Sequence, residues 1–363
     1  MKATKILHDL GQSLWLDNIT RELLANGTLA RYIADLSVTG LTSNPTIFEH
    51  AIGSGSFYDM AIAELARQGE SGENLLFALA LQDLTRAADL FRPVHEASGG
   101  VDGWVSLEVS PLLADDTANT IQSAARLHAA AARPNLFIKI PGTPAGIAAI
   151  EESIFAGIPI NVTLLFSREH YLDAAEAYLR GIERRIAAGR DPKVESVASF
   201  FVSRWDVAVK DGATSHYRNR VGVAMAMRTY KAYRELLASA RWQALARAGA
   251  HPQRLLWAST GTKDPAAPDT LYVEALAAPD TIDTVPEATL LAFAEHGKVG
   301  TALPIDGGDA EALLDELRRE GVDHEALAAR LQREGAQAFS KSWSTLLSRL
   351  GDKRAQRAAA DFK

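Results

Sequence analysis

Eight short apolar segments, each followed by a longer stretch with helical periodicity, constrain this chain more than any other feature. They are "SLWLDN" (13–18), "SVTGLTSNP" (37–45), "GWVSLEVSP" (103–111), "NLFIKIPGT" (135–143), "IPINVTLLF" (158–166), "SVASFFVSR" (196–204), "RLLWASTGT" (254–262) and "TIDTVP" (281–286). Each ends in polar or turn-forming residues. Near-continuous hydrophobicity over so few residues suits strands covered on both faces, as in a parallel sheet. Between them, apolar residues recur at helical spacing: Leu172, Ala175, Leu179 and Ile182 in one stretch, and Ile121, Ala124, Ala125 and His128 after Thr117 in another. Ser167 followed by early acidic residues marks a helix start. Strand–helix repeated eight times predicts a (β/α)8 TIM barrel, with an open doubly wound sheet as the alternative.

Two additions to that plan stand out. Residues 50–91 read as two helices, rather than one, between the second and third strands. The tail beyond "LPIDGGD" (303–309) reads as helical, with one stripe of Leu313, Leu314 and Leu317 and another of Phe339, Trp343, Leu346, Leu347 and Leu350. The tail is expected to pack on the barrel, an oligomer interface being the alternative. A single domain is expected over 1–363, with the barrel over about 10–300 and a C-terminal helical extension over about 307–363. The chain has no cysteine, which excludes a thiolate nucleophile, a Cys-ligated zinc and an iron–sulfur cluster. The net charge of −7 is spread without a basic run, which argues against nucleic-acid binding. No apolar run approaches the ~20 residues of a membrane span, and "MKATKILHDLGQSLWLDN" lacks the apolar centre of a signal peptide. A soluble, cytoplasmic protein is therefore expected.

In a barrel of this kind, chemistry sits at the C-terminal ends of the strands. The strand ends carry Asp17, then Thr42, Ser43 and Asn44, then Glu108 and Ser110, then Lys139, then Asn161 and Thr163, then Ser199, Ser203 and Arg204, then Ser259, Thr260 and Lys263, then Asp283 and Thr284. Strand side chains alternate between faces. In "LFIKIPG", Lys139 shares a face with Phe137, opposite Ile138 and Ile140; if the isoleucines face the helices, Lys139 points into the barrel. Glu108 falls with Ser106 and Ser110, Asn161 with Thr163, and Ser199 with Phe201. Taken singly, a lysine at a strand end is ordinarily a snorkelling surface residue, and Asn-Pro is ordinarily a turn. Their convergence at successive strand ends argues for a solvated polar site.

A lysine walled by Phe and aliphatic groups can lose its proton and attack a carbonyl, forming a Schiff base. The imine then makes a neighbouring C–C bond cleavable. Asp17 and Glu108 supply two carboxylates for proton transfer. Asn and Ser/Thr groups can hold sugar hydroxyls. Arg204 and Lys263 can hold a phosphate, one as a planar fork and the other as a point charge.

The motifs "LTSNPTIF" (41–48), "VSLEVSP" (105–111), "IKIPGT" (138–143), "INVTLLFS" (160–167), "ASFFVSR" (198–204) and "WASTGTKDP" (257–265) resemble those of the transaldolase family, in the same order, over roughly residues 10–300. The resemblance implies transfer of a dihydroxyacetone unit from sedoheptulose 7-phosphate or fructose 6-phosphate to glyceraldehyde 3-phosphate or erythrose 4-phosphate, in the pentose phosphate pathway. It implies no metal and no organic cofactor, and sugar phosphates as the small-molecule partners of a monomer or homodimer. By motif, Lys139 would be the Schiff-base lysine, and Glu108 the acid/base acting through a water positioned by Thr163. Asp17 would deprotonate the donor's C4 hydroxyl. Asn44 and Asn161 would bind hydroxyls, Ser199 and Phe201 would line the site, and Arg204 and Ser259 would meet the phosphate. One departure is plain. Shorter members of the family carry a second phosphate-binding arginine two residues after the serine; Gly261 stands there, and Lys263 is the nearest cation. Two rival functions are a fructose-6-phosphate-type aldolase releasing free dihydroxyacetone, and a glycoside hydrolase using Glu108 and Asp17 as paired carboxylates. A non-catalytic sugar-phosphate binder is a third.

Overall fold

The computed structural model describes residues 1–53 and 56–360. Eight parallel strands, β1 (Ser13–Asp17), β2 (Val38–Thr42), β3 (Trp104–Glu108), β4 (Leu136–Pro141), β5 (Ile160–Leu165), β6 (Ser196–Phe201), β7 (Arg254–Ala258) and β8 (Thr281–Val285), close in sequence order, with β8 against β1. Each strand lies inside one of the eight apolar segments. The reason is burial on both faces: only Asp17 and Arg254, at opposite ends of the barrel, are part-exposed among the strand residues. Among the described residues no helix is long and apolar enough to cross a membrane.

Side-chain alternation sorts the barrel interior into layers. At the base, Arg254 donates to Ser13 Oγ at 2.6 Å, and Ser13 donates to Asp102 at 2.5 Å. Above them lies an aromatic floor. Trp104 stacks on Phe137 with ring centroids 4.1 Å apart, and Trp15 sits 6.2 Å from Phe137. Gly40 makes room for this floor, since a Cβ there would lie 2.6 Å from the Trp15 indole. Two residues beyond Trp15, Gly40 and Phe137 on the same strand faces come Asp17, Thr42 and Lys139, and four beyond Trp104 comes Glu108, in register with Lys139. The expectation that Lys139 follows Phe137 on the inner face therefore holds in the fold.

The helices start where their caps dictate. Asp116, Thr143 and Ser167 each accept a hydrogen bond from the backbone N–H three residues on, opening helices Thr117–Ala131, Pro144–Ala156 and Arg168–Ala187. The insertion after β2 holds three helices, Pro45–Gly53, Asp59–Arg67 and Gly72–Ala97, not two. The first was missed because it begins directly at the strand end: Asn44 Oδ1 accepts from Ile47 N–H at 3.0 Å, and Pro45 suits the first helical turn. In Thr117–Ala131 the buried face is Thr120, Ala124, Leu127 and Ala131 rather than Ile121, Ala125 and His128. An alanine-rich stretch offers too little contrast to fix its own phase. Leu172 is likewise exposed, Tyr171 taking the inward position.

The tail forms two helices, Ala310–Arg319 and His324–Ala360. Leu313, Leu314 and Leu317 of the first are buried, as are Phe339, Trp343, Leu346 and Leu350 of the second, with Leu347 part-buried. The long helix packs on the Pro45–Gly53 helix and reaches β5, so the tail lies over the C-terminal end of the barrel.

Candidate active site

Lys139 is buried at the top of β4, its side chain 6% exposed, and β3 places Glu108 beside it in register. Its ammonium lies 3.5 Å from Glu108 Oε2 and donates to the Ser43 carbonyl at 3.2 Å. Burial pushes the Glu108 carboxyl up to about 7, against the pull of Lys139. Burial also raises the Asp17 carboxyl, opposed by Lys139, by a 3.0 Å hydrogen bond from Thr42 and by Lys263. Two carboxyls that burial holds ready to take or give a proton thus flank one amine.

A cavity of about 250 Å³ opens above this group. Asp17, Asn44, Lys139, Ser199, Phe201, Arg204, Ser259 and Lys263 all line it. Asn44 spends its amide oxygen on the cap of the Pro45–Gly53 helix, leaving the amide nitrogen as its group for the cavity. The other three expected site residues lie just behind the wall. Asn161 is held by two serines, donating to Ser106 Oγ at 3.1 Å and accepting from Ser199 at 2.7 Å. Glu108 sits behind Lys139. Thr163 is fully buried, and its hydroxyl has no hydrogen-bond partner among the described residues. Sequence reasoning did not assign Thr42, Thr284, Thr46, Ile47, His50, Pro286 or Phe339 to the cavity, though all line it. The two threonines were visible at strand ends; nothing local marks Phe339, which arrives from the tail.

The cavity's outer end is cationic. A second hollow, about 670 Å³, begins there, and Arg204, Ser259 and Lys263 line both. Ser259 adopts a left-handed backbone (φ 58°), uncommon for a residue with a side chain and characteristic of functional sites. Its hydroxyl meets Ser203 Oγ at 2.9 Å. Arg204 stands over the Phe201 ring, 5.6 Å from its centroid. Gly261 is close-packed, since a Cβ would lie 2.9 Å from Pro286 Cγ. Lys263 Nζ is 3.7 Å from that same point, so the ammonium occupies the space a longer side chain at 261 would enter. Among the described residues no cluster of three or more His, Asp or Glu could hold a metal ion.

The Transaldolase/Fructose-6-phosphate aldolase family model matches residues 14–350. The chain belongs to the transaldolase/fructose-6-phosphate aldolase family. The transaldolase of Thermobifida fusca is 47% identical over 356 residues, covering 96% of this chain and 97% of that one. A transaldolase of Parafrankia sp. is 44% identical over 363 residues, covering 96% and 98% respectively. Transaldolase 1 of Streptomyces avermitilis is 46% identical over 351 residues, covering 94% and 93%. Likeness to transaldolases extends across the C-terminal helices, beyond the barrel motifs, and membership of the family removes the glycoside-hydrolase alternative.

Proposed function

We propose that the protein is a transaldolase that moves a dihydroxyacetone unit between sugar phosphates through a Schiff base on Lys139. The observation that carries this reading is a buried amine beside Glu108, in one cavity with Asp17, with cations where the cavity opens. Lys139, as the free amine, attacks C2 of the ketose phosphate. Protonated Glu108, acting through a water beside Thr163, helps expel the C2 oxygen as water, and the imine forms. Asp17 takes the proton of the C4 hydroxyl. The C3–C4 bond breaks, its electron pair moves into the imine to give an enamine, and the aldose phosphate leaves. The enamine then attacks the carbonyl carbon of the acceptor aldose phosphate, and Asp17 returns the proton to the new hydroxyl. Hydrolysis of the imine frees Lys139 and the new ketose.

Asn44, Ser199 and, from behind the wall, Asn161 orient the donor's hydroxyls. Arg204, Ser259 and Lys263 hold the phosphate. Sedoheptulose 7-phosphate and fructose 6-phosphate are the proposed donors, and glyceraldehyde 3-phosphate and erythrose 4-phosphate the acceptors, in the non-oxidative pentose phosphate pathway. Borohydride added with fructose 6-phosphate should fix a three-carbon adduct on Lys139, read by peptide mass spectrometry. Lys139→Ala should lose both adduct and activity. No adduct, or an adduct elsewhere, overturns the reading. Release of free dihydroxyacetone as the main product, with an acceptor present, would instead favour the aldolase alternative.

A further inference from the structure

The long C-terminal helix does more than cover the barrel. Gln332, Gly335, Phe339 and Trp343 recur at helical spacing and meet the site in turn. Gln332 is nine-tenths buried, and its Nε2 donates both to the Gly142 carbonyl at 2.9 Å and to the Leu164 carbonyl at 3.0 Å. Gly142 follows β4, three residues after Lys139; Leu164 follows Thr163 in β5. Those strand ends are irregular. Leu164 has a left-handed backbone (φ 60°), and the β5–β6 register breaks between Val162 and Leu165. Gly142 N–H donates to the Thr163 carbonyl at 2.7 Å, and a Cβ on Gly142 would lie 2.4 Å from the Leu165 side chain. One amide group from the tail therefore ties together the two chain segments that hold Lys139 and Thr163. Gly335 lets the helix come this close, since a Cβ there would lie 3.0 Å from Leu164 and 3.3 Å from Arg204 Nη1.

We propose that Gln332 is a positioning residue for the reaction, a double donor that holds the ends of β4 and β5 so that the Thr163 hydroxyl faces the Lys139 chemistry. This rests on the Schiff-base reading above. Carbonyls turned out of regular strand pairing need a donor to stay there, and the structure supplies one from across 190 and 168 residues of chain. A small displacement of groups in proton transfer costs much more in rate than in binding.

The test compares Gln332→Met, which keeps volume and removes the donor, with Gln332→Glu and the unaltered protein, all checked for an unchanged Tm. Gln332→Met should lower kcat and the rate of borohydride-trapped adduct formation about 10- to 100-fold, with KM for fructose 6-phosphate within about threefold. Gln332→Glu should be at least as slow near neutral pH, where a carboxylate confronts two carbonyl oxygens. It should recover relative to Gln332→Met as pH falls and the carboxyl regains a proton to donate. A merely structural contact would lower Tm and leave this pH-dependent ratio flat. Unchanged kcat in Gln332→Met, or a flat ratio, overturns the proposal. If even the unaltered protein traps no adduct on Lys139, the Schiff-base reading fails instead.

Discussion

Burial pushes the Glu108 carboxyl up to about 7, with Lys139 Nζ 3.5 Å away. In the proposed reaction, expelling water from the Lys139 carbinolamine requires the protonated form. That form is complete well below pH 7 and disappears as pH rises through about 7, so single-turnover adduct formation should fall across that range. Glu108→Gln should flatten the profile and slow the step about 10²- to 10⁴-fold. A profile that keeps its shape in the variant would assign the proton to another group. Lys139 itself was legible in the sequence because strand alternation has only two outcomes, and the polar groups at neighbouring strand ends favoured the inward one. The tether of Asn161 between Ser106 and Ser199 was not legible, because it depends on which hydroxyls meet inside the closed barrel.

The segment after β7 combines a left-handed serine, a close-packed glycine and a lysine. Its geometry answers the departure at Gly261: there is no room for a side chain against Pro286, and Lys263 fills the space from two residues on. Lys263→Ala should raise KM for phosphorylated donors about tenfold or more, as expected for loss of a charged hydrogen bond, with kcat less affected. With the donor saturating, passage of the bound dihydroxyacetone unit to an unphosphorylated acceptor aldehyde should change little. Gly261→Arg in that background should not restore phosphate affinity, because Pro286 blocks the first carbon; recovery of KM would show that the loop yields. The eight strands were readable from sequence because each is a compact apolar run bounded by turn residues. The helix Pro45–Gly53 was not, because its cap, Asn44, also ends the strand motif and reads equally well as a turn.

Stability should also report the interior. Asp283 is fully buried on β8, where Thr260 donates to one carboxyl oxygen at 2.8 Å and the other oxygen has no partner among the described residues. Burial pushes its carboxyl up to about 7, as it does Glu108. A carboxyl raised in the folded state stabilises the protein fully below its unfolded pKa, and that contribution is lost as pH rises through about 7. The loss is on the order of 2–4 kcal/mol for each group. Asp283→Asn removes one of these losses, so its Tm relative to the unaltered protein should climb between about pH 4 and pH 7 and level off above. A constant difference would mean that Asp283 is already ionised in the fold. At this scale the sequence announced that a tail existed and which residues it would bury. It did not say that the tail roofs the cavity, because Gln332 and Phe339 become site residues only when distant ends of the chain meet.

The aromatic floor of Trp15, Trp104 and Phe137 has a consequence for traffic. With the aromatic floor at its base and the tail over its far end, the barrel cavity adjoins the cationic hollow lined by Arg204, Ser259 and Lys263. In the proposed reaction a departing aldose and an arriving one would both meet that cationic hollow. On the proposed mechanism, covalent attachment to Lys139 keeps the three-carbon fragment in the barrel while the two aldoses change places.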